Sequence, residues 1–140
     1  MVPVGGDLVV AVLDGSRLAC WQLTATGATS RWSLPLKAPA VGEPVVVEGV
    51  VHLAVGTQLV RIATDGGERP PLLLSAPAIT GAAVGGGLVA VGCRNGAVVV
   101  FRKGIMHWTT VCEAMPSGVA CGDDAVVVGH VNGTVAAYAP

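Results

Sequence analysis

Residues 95–101 read Asn-Gly-Ala-Val-Val-Val-Phe, and residues 132–138 repeat the pattern as Asn-Gly-Thr-Val-Ala-Ala-Tyr. Each copy joins a polar turn to a run of small and β-branched residues, which is typical of a β-strand. Other landmarks recur at the same spacing of about 38 residues, such as Ala38-Pro39-Ala40-Val41 and Ala76-Pro77-Ala78-Ile79. A period of this length indicates a solenoid, a propeller or another array of repeated units.

The repeated unit contains four short predicted strands and no segment with helical periodicity. In the second unit, turn residues separate predicted strands at 44–48, 50–55, 58–63 and 70–74. The middle strands of a unit, such as 8–13, are apolar at nearly every position, which indicates a sheet that is covered on both faces. A blade between two neighbouring blades has this environment. We therefore predict an all-β fold, a β-propeller of four-stranded antiparallel blades.

The 140 residues are predicted to form one domain, a propeller arc of about three and three-quarter blades. Blade one is expected at 2–34, blade two at 39–74, blade three at 77–111 and a partial blade four at 117–139. The fourth unit ends after its third strand. Val127 belongs to a middle strand of that unit, and we expect it to be buried.

Three turn-and-strand segments carry a resemblance to a known repeat family. Residues 14–23 read Asp-Gly-Ser-Arg-Leu-Ala-Cys-Trp-Gln-Leu, and residues 95–101 and 129–138 follow the same plan. These segments resemble the turn and the third strand of WD-repeat blades. The first segment has both the Asp and the Trp that are usual in that family, and the Gly-His dipeptide expected before the first strand is missing from every unit. Asn and aromatic residues take these two places in the later units, as Asn95, Asn132, Phe101 and Tyr138.

The resemblance has a functional implication. WD-repeat proteins are non-enzymatic scaffolds, so the resemblance implies a repeat protein for protein–protein interaction with a protein or peptide partner. The placement of Trp32 and Trp108 also resembles quinoprotein-type blades. The alternative function is therefore a ligand-binding or quinoprotein-like propeller fragment of a larger enzyme.

The composition argues against several other classes of protein. Hydrophobic residues make up 52% of the chain and charged residues 12%, which excludes intrinsic disorder. Eight Lys and Arg residues within a net charge of −1 are too few for a nucleic-acid interface or an anionic membrane surface. Residues 70–93 are uncharged, but their Pro and Gly residues favour strands and turns over a membrane helix.

No arrangement of residues indicates a reaction. The four cysteines form no Cys-x-x-Cys pair and have no histidine at ligand spacing, so we predict no metal site and four reduced, mostly buried thiols. The chain contains no nucleophile elbow and no phosphate loop, and we predict no catalytic residues and no cofactor. His52 lies in an apolar strand and is expected to be a hydrogen-bonded core histidine. The N-terminal residues do not resemble a signal peptide, and we expect a cytoplasmic location.

The predicted strand directions sort the loops onto two faces of the disc. The first face carries the turns between second and third strands together with the connections between blades. Its polar residues are the predicted partner-binding site: Arg17, Lys37, Gln58, Arg94, Asn95, His130 and Asn132. The second face is expected to be acidic, with Lys103 as its only cation, through Asp7, Glu48, Asp65, Glu68, Asp123 and Asp124.

The length of the chain raises the question of how the ring closes. A ring of seven or eight blades needs roughly twice this length. An open arc would expose two apolar blade faces, which soluble monomers rarely do. The ring is then completed by a second copy in a homodimer, by the remainder of a longer protein, or by closure of four blades on themselves. We favour self-association.

Overall fold

The computed structural model describes residues 1–140 and contains fifteen β-strands and no helix. Blade one consists of β1 to β4, at Val2–Gly5, Leu8–Leu13, Arg17–Thr24 and Gly27–Pro35. Blade two consists of β5 to β8, at Ala40–Val47, Val50–Val55, Gln58–Ala63 and Glu68–Leu73. Blade three consists of β9 to β12, at Ala83–Gly85, Leu88–Gly92, Ala97–Arg102 and Ile105–Val111. Blade four has three strands, β13 to β15, at Pro116–Cys121, Val126–His130 and Val135–Tyr138.

Each blade is an antiparallel sheet whose strands are neighbours in sequence order. This arrangement confirms the predicted all-β fold of four-stranded blades. In blade two, β6 and β7 have the predicted bounds, whereas β5 begins four residues earlier than expected. The extension of β5 includes an irregularity between Val41 and Val45. Gly42 lies there with φ of 71°, so close to Gly81 in the connection to blade three that a Cβ would stand 2.5 Å from the Gly81 Cα.

Pairs of residues with positive φ lie in several of the turns between strands. Asp14-Gly15, Glu48-Gly49 and Lys103-Gly104 all have positive φ, from 50° to 76°. Positive φ at both central residues is characteristic of type I′ turns, whose twist matches that of the flanking strands. Lys103 therefore lies at the tip of the hairpin between β11 and β12.

The hydrophobic core is divided among the interfaces between adjacent blades, which we call seams. Val10, Leu18 and Cys20 of blade one pack with Leu53 and Ile62 of blade two. The second seam joins Ala54 and Leu59 to the apolar residues of blade three that include Val91, Val99 and Phe101. The third seam joins Ala90 and Val100 to Val126 and Val128. The middle strands of blades two and three contribute to two seams each, which explains why they are apolar on both faces.

Backbone hydrogen bonds hold the connections between blades against the predicted first-face turns. The amide of Leu36 donates to the Ser16 carbonyl at 2.8 Å, and Leu74 donates to Thr57 at 2.9 Å. Cys112 donates to the Gly96 carbonyl at 2.9 Å. The same contact thus recurs in three blades and confirms that these turns and connections share one face.

The arc has two blade faces that no other blade covers, which we call the free faces. Blade four packs against β9 and β10 of blade three, and its strands make no comparable packing against blade one. Val127 points away from blade three and is 37% exposed, so the expectation that it is buried was wrong. Its strand is central within blade four, but no fifth blade covers that side. None of the segments forms a helix with the length and apolar character needed to span a membrane.

Candidate functional site

The structure distributes the seven predicted partner-binding residues over four places on the first face. Arg17 begins β3 and donates a hydrogen bond from Nη1 to the Ser33 hydroxyl at 2.7 Å. Arg94 and Asn95 are exposed in the turn between β10 and β11. The Asn95 amide nitrogen donates to the Ser75 hydroxyl at 3.3 Å in the connection from blade two. These turn residues are ordered by hydrogen bonds, not gathered into one pocket.

Lys37 and Gln58 lie together in a cleft of about 570 Å³ between blades one and two. Lys37 comes from the connection after β4, and Gln58 begins β7. Pro35 and Pro71 contribute apolar walls to the same cleft. Arg61, Arg69 and Glu68 also line it, so the cleft combines an amide and apolar surface with charged groups of both signs.

His130 and Asn132 line a second cleft, of about 490 Å³, between the outer strand of blade three and blade four. The sequence places no carboxylate or thiol near His130, but the fold brings Glu113 and Cys112 to the same cleft. The Tyr138 hydroxyl lies 3.9 Å from the Cys112 sulfur, and this hydrogen bond is the main reason that the pKa of Tyr138 is raised. Glu113 and Cys112 precede His130 by 17 and 18 residues along the chain, so only the packing of two blades brings them to the same cleft.

Three of the four thiols of the chain are not activated for nucleophilic chemistry. All four cysteines are free, and Cys20, Cys93 and Cys112 are buried, as the sequence predicted. Burial raises the pKa of Cys20, Cys93 and Cys121 above the usual range of a thiol. A thiol with a raised pKa stays protonated near neutral pH and is a poor nucleophile or metal ligand.

A group of basic residues that the sequence analysis did not connect lies on the second seam, toward the second face. His52 pairs with Arg61 across β6 and β7, and Arg61 pairs with Arg69 across β7 and β8. We call these three residues the cationic row. Together with Lys103 of blade three they line a cleft of about 410 Å³, in which Glu48 is the acidic residue. The expectation of an acidic second face therefore fails at this seam.

The cationic row escaped sequence analysis because it contains no local motif. His52, Arg61 and Arg69 are eight or nine residues apart, and each lies on a different strand. Direct cross-strand partners point to the same side of a sheet, so the register brings them together. A correct register for β6, β7 and β8 would have been the one signal able to predict the row.

His52 is held in a defined orientation within this cleft. It is only 4% exposed, and its Nδ1 donates a hydrogen bond to the Val50 carbonyl at 3.0 Å. Desolvation, followed by the positive charge of Arg61, lowers the pKa of His52 below its usual value despite this hydrogen bond. The prediction of a buried, hydrogen-bonded histidine is confirmed, and the lowered pKa keeps the imidazole neutral near pH 7.

No protein-family profile matches this chain, and no curated protein matches it in sequence. The chain is, however, similar in structure to known β-propellers. It matches the computationally designed Ika8 protein with a TM-score of 0.81 and 19% identity, covering 97% of this chain and 44% of that protein. It matches the designed Ika4 protein with a TM-score of 0.79 and 14% identity, covering 96% of this chain and 86% of that protein.

A third similar structure is BBS1N, solved in complex with ARL6DN. The TM-score is 0.68 and the identity 18%, with 94% of this chain and 50% of BBS1N covered. At these identities the likeness establishes the fold, and the chain is a β-propeller module. The chain spans less than half the length of Ika8 and half the length of BBS1N.

Proposed function

We propose that this chain is a non-enzymatic propeller scaffold that completes its ring with a second copy of itself and binds a protein or peptide on its first face. The observation that carries the proposal is the pair of apolar free faces at the two ends of the arc. Leaving such surfaces in water is unfavourable, so they favour association. We place the assembly in the cytoplasm, in keeping with its four free thiols.

The two free faces differ in a way that suits pairing with each other. Blade one presents larger side chains, among them Leu13, Trp21 and Leu23. Blade four presents the small residues Ala120 and Ala137 beside Val127. Large side chains opposite small ones allow two blades to approach closely and interdigitate. Pairing through both ends gives a closed arrangement with two equivalent interfaces.

The similar structures support both parts of the proposal, the completion of the ring by a second copy and the binding of a protein partner. Ika8 is more than twice as long as the segment that this chain matches, which is the length expected if one ring needs two such arcs. BBS1N was solved in complex with a protein, ARL6DN. By analogy, the first-face residues Arg17, Arg94 and Asn95, with the clefts at Lys37 and His130, are the proposed partner contacts.

Light scattering behind a sizing column tests the association. We expect the wild-type chain to have twice the mass of one chain. Val127→Asp places a charge on the free face of blade four, where the residue is partly exposed, and should convert the protein to a folded monomer. Val111→Asp is the matched control, since Val111 is 72% exposed on the outer strand of blade three and should leave the mass unchanged. A wild-type monomer would contradict the proposed self-association.

A further inference from the structure

The cationic row is an anomaly among the blades of this protein. The row formed by the third residue of each second strand is Val10, Cys20 and Trp32 in blade one. In blade three the corresponding row is Ala90, Val100 and Trp108. Both rows are apolar and lie at a seam, whereas blade two has His52, Arg61 and Arg69 in this place. The fold itself thus has no need of charge here.

The arrangement is also unfavourable without a ligand. Like charges directly opposite each other on neighbouring strands repel, and Arg61 lies between a second arginine and a histidine. The Nε of Arg61 is buried without a hydrogen-bond partner, and its Nη1 makes one long bond of 3.3 Å to the Pro70 carbonyl. An unpartnered donor next to cations that repel one another favours the binding of an anionic ligand in the cleft.

The opposite blade completes the enclosure. The guanidinium of Arg61 lies against Gly104, so closely that a Cβ there would stand 2.9 Å from Nη2. Lys103 precedes this glycine at the tip of its hairpin and lines the same cleft. Cations from blades two and three therefore line the same cleft. Because both blades belong to this chain, the cleft does not depend on how the ring closes.

The charges of the cleft indicate the class of ligand. Arg61, Arg69 and Lys103 carry three positive charges and Glu48 carries one negative charge, which leaves an excess of two while His52 is neutral. A phosphate monoester is a dianion near neutral pH and offers several oxygen acceptors to guanidinium and ammonium donors. A carboxylate ligand would leave one positive charge uncompensated.

We propose that the cleft between blades two and three binds a phosphate group, held by Arg61, Arg69 and Lys103, with the buried His52 as an additional donor. The phosphate belongs either to a small molecule or to a phosphorylated peptide. His52 makes binding dependent on pH because its free Nε2 donates to the anion only when the ring is protonated.

Isothermal titration with inorganic phosphate, at constant ionic strength set with chloride, tests the site. We expect saturable binding that Arg69→Gln weakens by about tenfold or more, since hydrogen bonds between charged groups are lost. Arg69 is exposed on an outer strand, so the variant should fold, which circular dichroism checks. Arg102→Gln removes the same charge beside Lys103 but outside the cleft, and should change the affinity little. No saturable binding, or an equal loss in both variants, would overturn the proposal.

The pH dependence of sulfate binding measures the contribution of His52 alone. Phosphate itself changes its protonation state near neutral pH, whereas sulfate remains a dianion. Its affinity should rise as the pH falls from 8 to 6, because the bound anion stabilises protonated His52 among the facing charges Glu48, Arg61, Arg69 and Lys103. His52→Gln should remove this rise. A rise that persists in the variant would contradict the role of His52.

A phosphoserine peptide that displaces phosphate at lower concentration would identify a protein source, and weaker displacement a small molecule.

Discussion

The first and second seams of this protein both pack two adjacent blades together, but the side chain that crosses the first seam is aromatic and the one that crosses the second is cationic. At the first seam, Trp32 reaches across to blade two, where its indole Nε1 donates a hydrogen bond to the Thr64 carbonyl at 3.0 Å. At the second seam, Arg61 reaches across to Gly104 in the corresponding turn of blade three. An aromatic ring that covers the rim stabilises the seam, whereas an arginine opposite another arginine does not. The difference indicates that the first seam is built for stability and the second for binding.

The third seam follows the first one. Trp108 of blade three packs on Tyr138 of blade four, with ring centroids 5.2 Å apart and planes inclined by 47°. Aromatic pairs with such tilted geometry are favourable. Two of the three seams are therefore closed by tryptophan, and blade two alone departs from the pattern.

Moving the charge to an apolar seam should have the largest effect. Val100 is the blade-three counterpart of Arg61 and is fully buried. Val100→Arg should lower the free energy of unfolding by about 3 kcal/mol or more, because the new charge has neither water nor a counter-ion. Denaturant titration measures this loss, and Val111→Arg on the exposed rim should change stability little. A Val100→Arg variant as stable as the wild type would show that charge at this position is tolerated in any seam.

The reverse exchange should stabilise the protein while it removes a function. Arg61→Met keeps an unbranched side chain of similar length but removes the repulsion from Arg69 and the unpartnered Nε. We expect the free energy of unfolding to rise by about 1 kcal/mol in buffer without phosphate or sulfate. A loss of stability in such a buffer would mean that Arg61 supports the seam and is not kept for a ligand.

The pH dependence of stability should show the smallest effect. The pKa of His52 is lowered in the folded protein, chiefly by desolvation, so the unfolded chain binds more protons between that pKa and the usual value of about 6.5. The contribution of His52 to the free energy of unfolding is therefore fully present above about pH 6.5 and decreases as the pH falls below that value. His52→Gln should reduce the decline measured by denaturant titration between pH 7.5 and 5.5. An unchanged pH profile would place His52 in an ordinary, hydrated environment.

Local signals in the sequence predicted the blades well. The bounds of β6 and β7 were predicted correctly because Gly and polar residues at the turns limit apolar runs on both sides. The start of β5 was placed too late because Pro44 was read as the start of a strand that actually passes through an irregularity near Gly42. The burial of Val127 was predicted incorrectly because strand character alone cannot report a missing neighbouring blade.

The candidate sites were harder to predict than the strands. Lys37 with Gln58, and His130 with Asn132, were assigned to the first face from strand direction, and each pair lines one cleft. The place of Glu113 in the same cleft as His130 was not predicted. The pairing of distant residues depends on how one blade packs on the next, and no spacing in the sequence encodes it.

The sequence by itself determined a repeated all-β unit, since strand propensity, turn chemistry and a period of about 38 residues are local properties. The tertiary structure alone decided which side chains meet. Strand register joined His52, Arg61 and Arg69 into one row, and the packing of blade three brought Lys103 to it. Register and blade packing are non-local, because they depend on the free energy of all the contacts formed at once. For the same reason, the two free faces became visible only when the blades were assembled.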